Sequence, residues 1–256
     1  MTHSTFQRTA RPNRAMAKML VVRPAFALAF CLAALAIAGC GDDGSSAGEA
    51  RLGTDSGGDG QARRSVVAAL GDSITAGSPS WDPDPGAREP LGEAADPESQ
   101  YEYWAELRLR DVRFRNCGVP GERTDEIARR LERCAKGADV LVVQGGINDI
   151  AQARGIAAAA RNLRRMVRHG RRLGLLVAIA EVLPWNNGYP AADPLIQRLN
   201  RRIREIGRGE RAPVFGWYER LEDPAAPGRM RRRWTADGDH PSVEGYRRLA
   251  GTVRLP

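Results

Sequence analysis

The sequence predicts a three-layer α/β domain with a mostly parallel sheet, and three observations support this. Five short apolar runs with the length of strands alternate with segments of helical periodicity. Two of the runs, "DVLVVQ" and "LLVAIAEV", are continuously apolar, as expected of parallel strands that helices cover on both faces. At 256 residues, the chain is long enough for one such domain with a sizeable core. The predicted strands are 65–70, 112–116, 139–144, 175–182 and 213–217.

The helices between these strands are predicted from apolar stripes. Ile127 and Leu131 share one face at i, i+4 spacing, and a longer stripe consists of Ile196, Leu199, Ile203 and Ile206. In residues 161–172, arginines occupy one side and apolar residues the other, and we interpret the arginine side as solvent-exposed helix surface. Because parallel α/β sheets bind ligands at the carboxyl ends of their strands, functional residues are expected directly after each strand.

The first 39 residues have the features of an export signal. A basic segment, "RPNRAMAKMLVVR", precedes a 15-residue apolar run, "AFALAFCLAALAIAG", which is too short to span a bilayer comfortably. The run ends at "IAGC", which resembles the lipobox of a bacterial lipoprotein signal peptide. The resemblance implies that residues 1–39 are removed, and that a lipidated Cys40 holds the chain at the outer face of a bacterial membrane. The alternative is an uncleaved membrane anchor, and Met16 or Met19 is an alternative start of the chain.

Residues 40–63 are predicted to form a flexible tether, and residues 64–256 the folded domain. Gly, Ser and Asp dominate the tether, which has almost no large apolar residue with which to build a core. The formal net charge of the chain is +8, but the sequence has neither zinc-finger spacing nor an aromatic ribonucleoprotein motif. We therefore expect no nucleic-acid partner.

Two serines are candidates for a nucleophile. The pattern G-x-S-x-G occurs once, as "GSSAG" around Ser46, but it lies in the tether, without the strand before it and the helix after it that a nucleophile elbow needs. Ser73, in "GDSITAG", directly follows the first predicted strand and precedes a helix-compatible segment. On this stretch alone, Ser73 is either a nucleophile or part of a helix cap.

A serine nucleophile needs a general base, and the chain contains three histidines. His3 lies in the leader and His169 in the arginine-rich helix, which leaves His240 in the loop "TADGDHPSVEGY". Asp237, three residues before His240, is near enough to orient the imidazole ring. The alternative is that His240 and the aspartates around it are ordinary loop and turn residues.

Two more strand ends carry candidate groups. After the second strand, "NCGVPGERT" contains Gly118 and Gly121, whose backbone N–H groups can point at a ligand. After the third strand, "GGIND" contains Asn148, whose side-chain amide is a donor. The alternatives are a Gly/Pro turn in the first stretch and an Asn-Asp helix cap in the second.

In combination, these stretches resemble the GDSL, or SGNH, hydrolase family. The ordered blocks are Gly71-Asp72-Ser73, 116–121, 146–149 and 237–241, and the resemblance covers about residues 65–253. It implies a flavodoxin-like sheet with strand order 2-1-3-4-5. It also implies that Ser73 is the nucleophile, that His240 is the base, and that Asp237, rather than Asp239, orients His240. The implied oxyanion hole consists of the backbone N–H groups of Ser73 and Gly121 and the side chain of Asn148.

The resemblance further implies an ester hydrolase that works through an acyl-enzyme, without a metal or another cofactor. Its expected substrate is a small acyl ester, a lysophospholipid or a thioester. A carbohydrate O-acetyl esterase is the alternative, with Trp81, Trp185 and Tyr189 as candidates to line a cleft, and a non-catalytic binding lipoprotein is a third reading. The long segment 79–99 departs from the family pattern, so the substrates of other members are not carried over to this chain.

Cys117 and Cys134 are expected to be unpaired. Export would favour a disulfide, because the compartment is oxidising. A straight helix from Thr124, however, would carry Cys134 roughly 15 Å from the end of the second strand. A disulfide needs Cα atoms within about 7 Å. The sequence therefore predicts two free and mostly buried thiols.

Overall fold

The structure is a computed structural model that describes residues 63–256. Its main sheet has five parallel strands in the order β2-β1-β3-β4-β5, and helices flank the sheet, so the predicted α/β fold is confirmed. These strands are β1 (Ser65–Gly71), β2 (Val112–Gly118), β3 (Val140–Val143), β4 (Leu176–Ala180) and β5 (Val214–Phe215). Two short antiparallel strands, β6 (Glu222–Asp223) and β7 (Ala226–Met230), form a separate hairpin. The predicted signal peptide, Cys40 and nearly all of the predicted tether lie outside the described residues.

The described residues contain ten α-helices, and the longest connect the strands. They are α1 (Ser73–Ala76), α2 (Pro85–Arg88), α3 (Tyr101–Arg108), α4 (Thr124–Arg129), α5 (Leu131–Ala135), α6 (Ile147–Ala151), α7 (Ile156–Arg172), α8 (Asp193–Glu210), α9 (Trp217–Leu221) and α10 (Val243–Ala250). Segment 79–99 folds into α2 and two 3-10 turns, Glu89–Ala94 and Pro97–Ser99. No helix within residues 63–256 is long and apolar enough to cross a membrane.

The core consists of two apolar layers, one on each face of the sheet. Along β1, Val67 and Ala69 face a layer with α3, α9 and α10, while Ala68 and Leu70 face a layer with α4, α5, α7 and α8. Because both faces are covered, the central strands are continuously apolar, as the sequence suggested. The predicted stripe on α8 is fully buried, and the arginines of α7 point to solvent.

The prediction of free cysteines is wrong, because Cys117 and Cys134 form a disulfide with a Cα–Cα distance of 6.1 Å. The error lies in the assumed helix. The segment after β2 is not one straight helix but two short ones, which meet at Arg130. The second helix, α5, brings Cys134 back towards the end of β2, where the Arg115 guanidinium donates to the Cys134 carbonyl at 2.8 Å. Cys134 is nevertheless buried on the apolar face, as expected.

Candidate active site

Ser73 lies at the carboxyl end of β1, where the chain turns sharply into the one-turn helix α1. The Asp72 carboxylate caps this helix by accepting a hydrogen bond from the N–H of Ile74 at 3.0 Å. The turn requires glycine at position 71, since a Cβ there would lie 2.1 Å from the Thr75 hydroxyl oxygen. Asp72 is therefore the cap, and the Ser73 side chain is available for another role.

His240 approaches Ser73 from the loop before α10. Its Nε2 atom lies 3.0 Å from Ser73 Oγ, and its Nδ1 atom lies 2.8 Å from Asp237 Oδ2. These distances fit a ring that donates a hydrogen bond from Nδ1 to Asp237 and accepts one at Nε2 from the Ser73 hydroxyl. The predicted serine, histidine and aspartate thus form one chain of hydrogen bonds, although 167 positions separate Ser73 from His240.

The Asp237 carboxylate is held in its charged form. Burial by itself acts to raise its pKa, but the hydrogen bonds from the His240 ring and from the backbone N–H groups of His240 and Asp239 outweigh burial and lower it. An ionised carboxylate at Nδ1 fixes the ring orientation and stabilises a positive charge on the imidazole. His169 does not line the cleft that contains Ser73, and its Nε2 atom pairs with Glu132 at the protein surface.

Gly121 and Asn148 line the same cleft as Ser73. Gly121 has φ +79°, a conformation that favours glycine. Asn148 donates one side-chain N–H to the carbonyl of Glu122 at 3.0 Å, and its amide has a second N–H. No hydrogen bond between the described residues engages the backbone N–H of Ser73 or of Gly121. Three residues that line the cleft therefore each have an N–H without a partner among the described residues.

Gly118 has a different role from the one suggested by its place in the second block. Its N–H donates to the Asn116 side chain at 2.8 Å and is not available to a ligand. A Cβ at this position would lie 2.0 Å from the backbone nitrogen of Ala76. Gly118 therefore allows α1 to pack directly against the end of β2.

Asp149 connects the third block to the second. Its carboxylate is buried and accepts hydrogen bonds from the backbone N–H and the hydroxyl of Thr124, at 2.9 and 2.8 Å. Asp149 thus caps α4, a different helix from its own, and holds the loop that contains Gly121. The sequence suggested only a local cap, because nothing local reveals a partner 25 positions away.

Arg130 supports the same loop and was not among the predicted residues. Its guanidinium pairs with the Glu122 carboxylate at 2.6 Å and donates to the carbonyls of Cys117 at 2.8 Å and Gly71 at 3.1 Å. One largely buried side chain thus connects the ends of β1 and β2 with the residue after Gly121. In the sequence, Arg130 is the second of two adjacent arginines, and nothing distinguishes it from its exposed neighbour Arg129.

The cleft has a volume of about 350 Å³. It is lined by Ser73, Ile74, Ser78, Pro120, Gly121, Ile147, Asn148, Ala151, Trp185, Asp239 and His240. Of the three aromatic residues considered for a sugar-binding surface, only Trp185 is among them. Trp81 packs against Arg88 and Tyr189 against Arg229, at 4.3 and 4.4 Å from ring centroid to guanidinium.

Two carboxyl groups near the site are fully buried. Burial raises the pKa of Asp72 to about 6, although the N–H of Ile74 and the side chain of Gln144 act to lower it. Burial also raises the pKa of Glu102, on α3, well above its usual value, and neither Glu102 oxygen has a hydrogen-bond partner within the described residues. Both groups therefore resist ionisation in the folded state.

This resistance should make stability depend on pH. An unfolded chain loses the Glu102 proton near pH 4.5, whereas the folded chain keeps it to higher pH. In that interval the folded state binds the extra proton, so the free energy of unfolding falls as pH rises, by up to ~1.4 kcal/mol per pH unit. We expect Glu102→Gln to gain stability relative to wild type as pH rises above 4.5, as measured by urea unfolding. Parallel pH curves for the two proteins would contradict this, and the exposed Glu89→Gln is the control.

Comparison with known proteins identifies the family. The model of the GDSL-like lipase/acylhydrolase family matches residues 69–248, which is more than half of the chain and includes all four sequence blocks. Among curated proteins, none matches by sequence.

Solved structures show the same fold. A member of the lipolytic protein G-D-S-L family from Veillonella parvula is similar with a TM-score of 0.59 at 18% identity, covering 73% of this chain and 94% of that one. The lipase/acylhydrolase from Enterococcus faecalis has a TM-score of 0.57 at 25% identity, with 74% and 92% covered. A GDSL-like lipase from Bacteroides thetaiotaomicron has a TM-score of 0.55 at 20% identity, with 74% and 85% covered. The chain therefore belongs to the GDSL-like lipase/acylhydrolase family and is an ester hydrolase.

Proposed function

We propose that the protein hydrolyses small carboxylic esters through an acyl-enzyme on Ser73. The observation that carries this proposal is the chain of hydrogen bonds from Ser73 Oγ through the His240 ring to Asp237, at 3.0 and 2.8 Å, in an open cleft. A hydroxyl with a base at this distance, and a base oriented by a carboxylate, is the arrangement that nucleophilic catalysis needs.

The reaction follows from the positions of the protons. His240 Nε2 accepts the Ser73 proton as Oγ attacks the ester carbonyl, and Asp237 stabilises the resulting imidazolium. His240 then donates this proton to the leaving alcohol, which breaks the ester bond and leaves the acyl group on Ser73. A water molecule, deprotonated by His240, attacks the acyl-enzyme, and the acid leaves as the proton returns to Ser73.

The negative charge on the carbonyl oxygen is stabilised by three donors. They are the N–H groups of Ser73 and Gly121 and the side-chain amide of Asn148. Donors of this kind are effective when the fold holds them in place before the reaction, since they need not reorganise as the charge develops. Asp149 and Arg130 are positioning residues, since they hold the Gly121 loop without touching the substrate.

The size of the cleft favours a short acyl group over the long chain of a lysophospholipid. The volume of about 350 Å³ must accommodate both parts of the ester. A series of p-nitrophenyl esters of increasing chain length tests this proposal, with mass spectrometry of the trapped acyl-enzyme at Ser73. We expect acetate and butyrate to be the best substrates. A preference for long chains, or the absence of any hydrolysis, would contradict the proposal.

A positioning role for Arg130 predicts a loss of turnover. We expect Arg130→Met to lower kcat about 10- to 100-fold with little change in KM, because displaced oxyanion donors weaken the transition state more than the bound substrate. Arg129→Met is a matched control, since the Arg129 side chain is 73% exposed and, within the described part of the chain, pairs only with Asp125. Equal kcat values for the two variants would show that Arg130 does not position the loop.

We also propose that the mature protein is anchored by lipid on Cys40. The support is the order of basic segment, apolar run and "IAGC" in the sequence. More than one acyl chain on a cysteine gives stable membrane attachment. Cys40→Ser should therefore leave the membrane fraction or remain unprocessed. If the variant fractionates and migrates like wild type, this part of the proposal is wrong.

A further inference from the structure

The wall of the cleft beside His240 is formed by Trp185 and Asp239. The indole N–H of Trp185 donates to Asp239 Oδ1 at 2.6 Å, and Asn187 donates to the same oxygen at 2.7 Å. No hydrogen bond within residues 63–256 reaches the other carboxylate oxygen, Oδ2. Asp239 thus has a fixed orientation and an oxygen that is available to a ligand.

The indole ring of Trp185 is fixed as well. A Cβ on Gly188 would lie 2.1 to 2.6 Å from three ring carbons, so one face of the ring packs directly on the Gly188 backbone. The ring edge is bound to Asp239 through its N–H. Because Trp185 also lines the cleft, the face opposite Gly188 is the one that it presents to a ligand.

The charge of the cleft contrasts with that of the chain. The sequence has 39 Lys and Arg residues, yet none of those within residues 63–256 lines the cleft, and Asp239 is the only carboxylate of this range that does. This lining disfavours anionic substrates, such as phosphate-bearing alcohols. A fixed aromatic face beside a carboxylate is a recognition site for a cation, since the π-system and the carboxylate both attract positive charge.

The position of this wall indicates which part of the ester it contacts. In the proposed reaction, His240 gives its proton to the leaving alcohol, so the alcohol lies on the side of His240. The apolar residues Ile147 and Ala151 lie next to Asn148 on α6, beside the oxyanion donors, where the acyl group is expected. Trp185 and Asp239 therefore face the alcohol.

We propose that Trp185 and Asp239 select esters whose alcohol carries a positive charge, such as quaternary or protonated amino alcohols. This inference rests on the proposed function. Two acetate esters of nearly equal shape test it: 2-(trimethylammonio)ethyl acetate, which is cationic, and 3,3-dimethylbutyl acetate, which is neutral. We expect kcat/KM to be about tenfold higher for the cationic ester, with the ratio decreasing as salt screens the carboxylate.

Asp239→Asn is the decisive variant, because an amide oxygen can still accept from Trp185 while the charge is lost. The ratio of the two kcat/KM values should fall to about one. A general loss of activity affects both esters equally and therefore cancels in this ratio. Glu205→Gln, on the exposed surface of α8, changes the net charge equally and should leave the ratio as in wild type.

Each outcome separates the two proposals. If wild type hydrolyses p-nitrophenyl acetate but has nearly equal kcat/KM values for the cationic and the neutral ester, this inference is overturned and the proposed function stays intact. The inference is also overturned if Asp239→Asn keeps the preference of wild type for the cationic over the neutral ester. The same holds if kcat/KM is higher for an acetylated sugar than for the cationic ester. If wild type hydrolyses none of these esters, the proposed function itself fails.

Discussion

Replacing Ser73 with alanine is expected to lower kcat/KM for p-nitrophenyl acetate by at least about 10⁴-fold, because Ser78, the other serine that lines the cleft, makes no hydrogen bond to His240 within the described residues. The fold should remain intact. The Ser73 side chain bonds only to His240 within the described residues, and helix α1 is capped by Asp72. The circular dichroism spectrum and the unfolding midpoint should therefore be close to those of wild type.

Ser46→Ala is the control for this experiment. Ser46 is the serine of the G-x-S-x-G pattern, and its replacement is expected to have no effect because Ser46 lies in the predicted tether. Wild-type turnover by purified Ser73→Ala would exclude Ser73 as the nucleophile. A loss of turnover in Ser46→Ala would show that the pattern in the predicted tether matters after all.

Replacing Asn148 with alanine is expected to lower kcat by roughly 10²–10³, the usual effect of losing one oxyanion donor. KM should change little, since the interaction strengthens as charge develops on the carbonyl oxygen. Steady-state kinetics with a short-chain p-nitrophenyl ester measures both constants.

A neighbouring amide provides the matched control. Gln152 donates to the carbonyl of Gly121 at 3.3 Å, much as Asn148 donates to that of Glu122, but Gln152 is exposed and does not line the cleft. Gln152→Ala should therefore change kcat by no more than a few-fold. Similar losses in the two variants would indicate that Asn148 acts only by holding the loop.

The central features of the fold could be predicted because they are encoded locally. Strands β3 and β4 are continuously apolar, and α8 has an apolar stripe at helical spacing, since both faces of the sheet are covered. The ends of the elements were less predictable. The last strand was expected at 213–217, but it ends at Phe215 because α9 begins at Trp217.

The principal site residues could be predicted for a different reason. Few residue types can serve as nucleophile and base, and eliminating His3 and His169 left His240 as the partner of Ser73. The predicted parallel sheet indicated that Ser73 and His240 lie close together, because the carboxyl ends of parallel strands meet at one edge. The sequence alone therefore determined the fold class, the family and the residues to examine at the carboxyl edge.

Only the tertiary structure decided how these residues are supported. The Cys117–Cys134 disulfide depends on the break between α4 and α5 at Arg130. The local apolar pattern of the sequence does not reveal this break. The contacts of Arg130 with Gly71 and of Trp185 with Asp239 join residues 59 and 54 positions apart. Such contacts depend on where whole elements pack, and packing is a property of the complete chain.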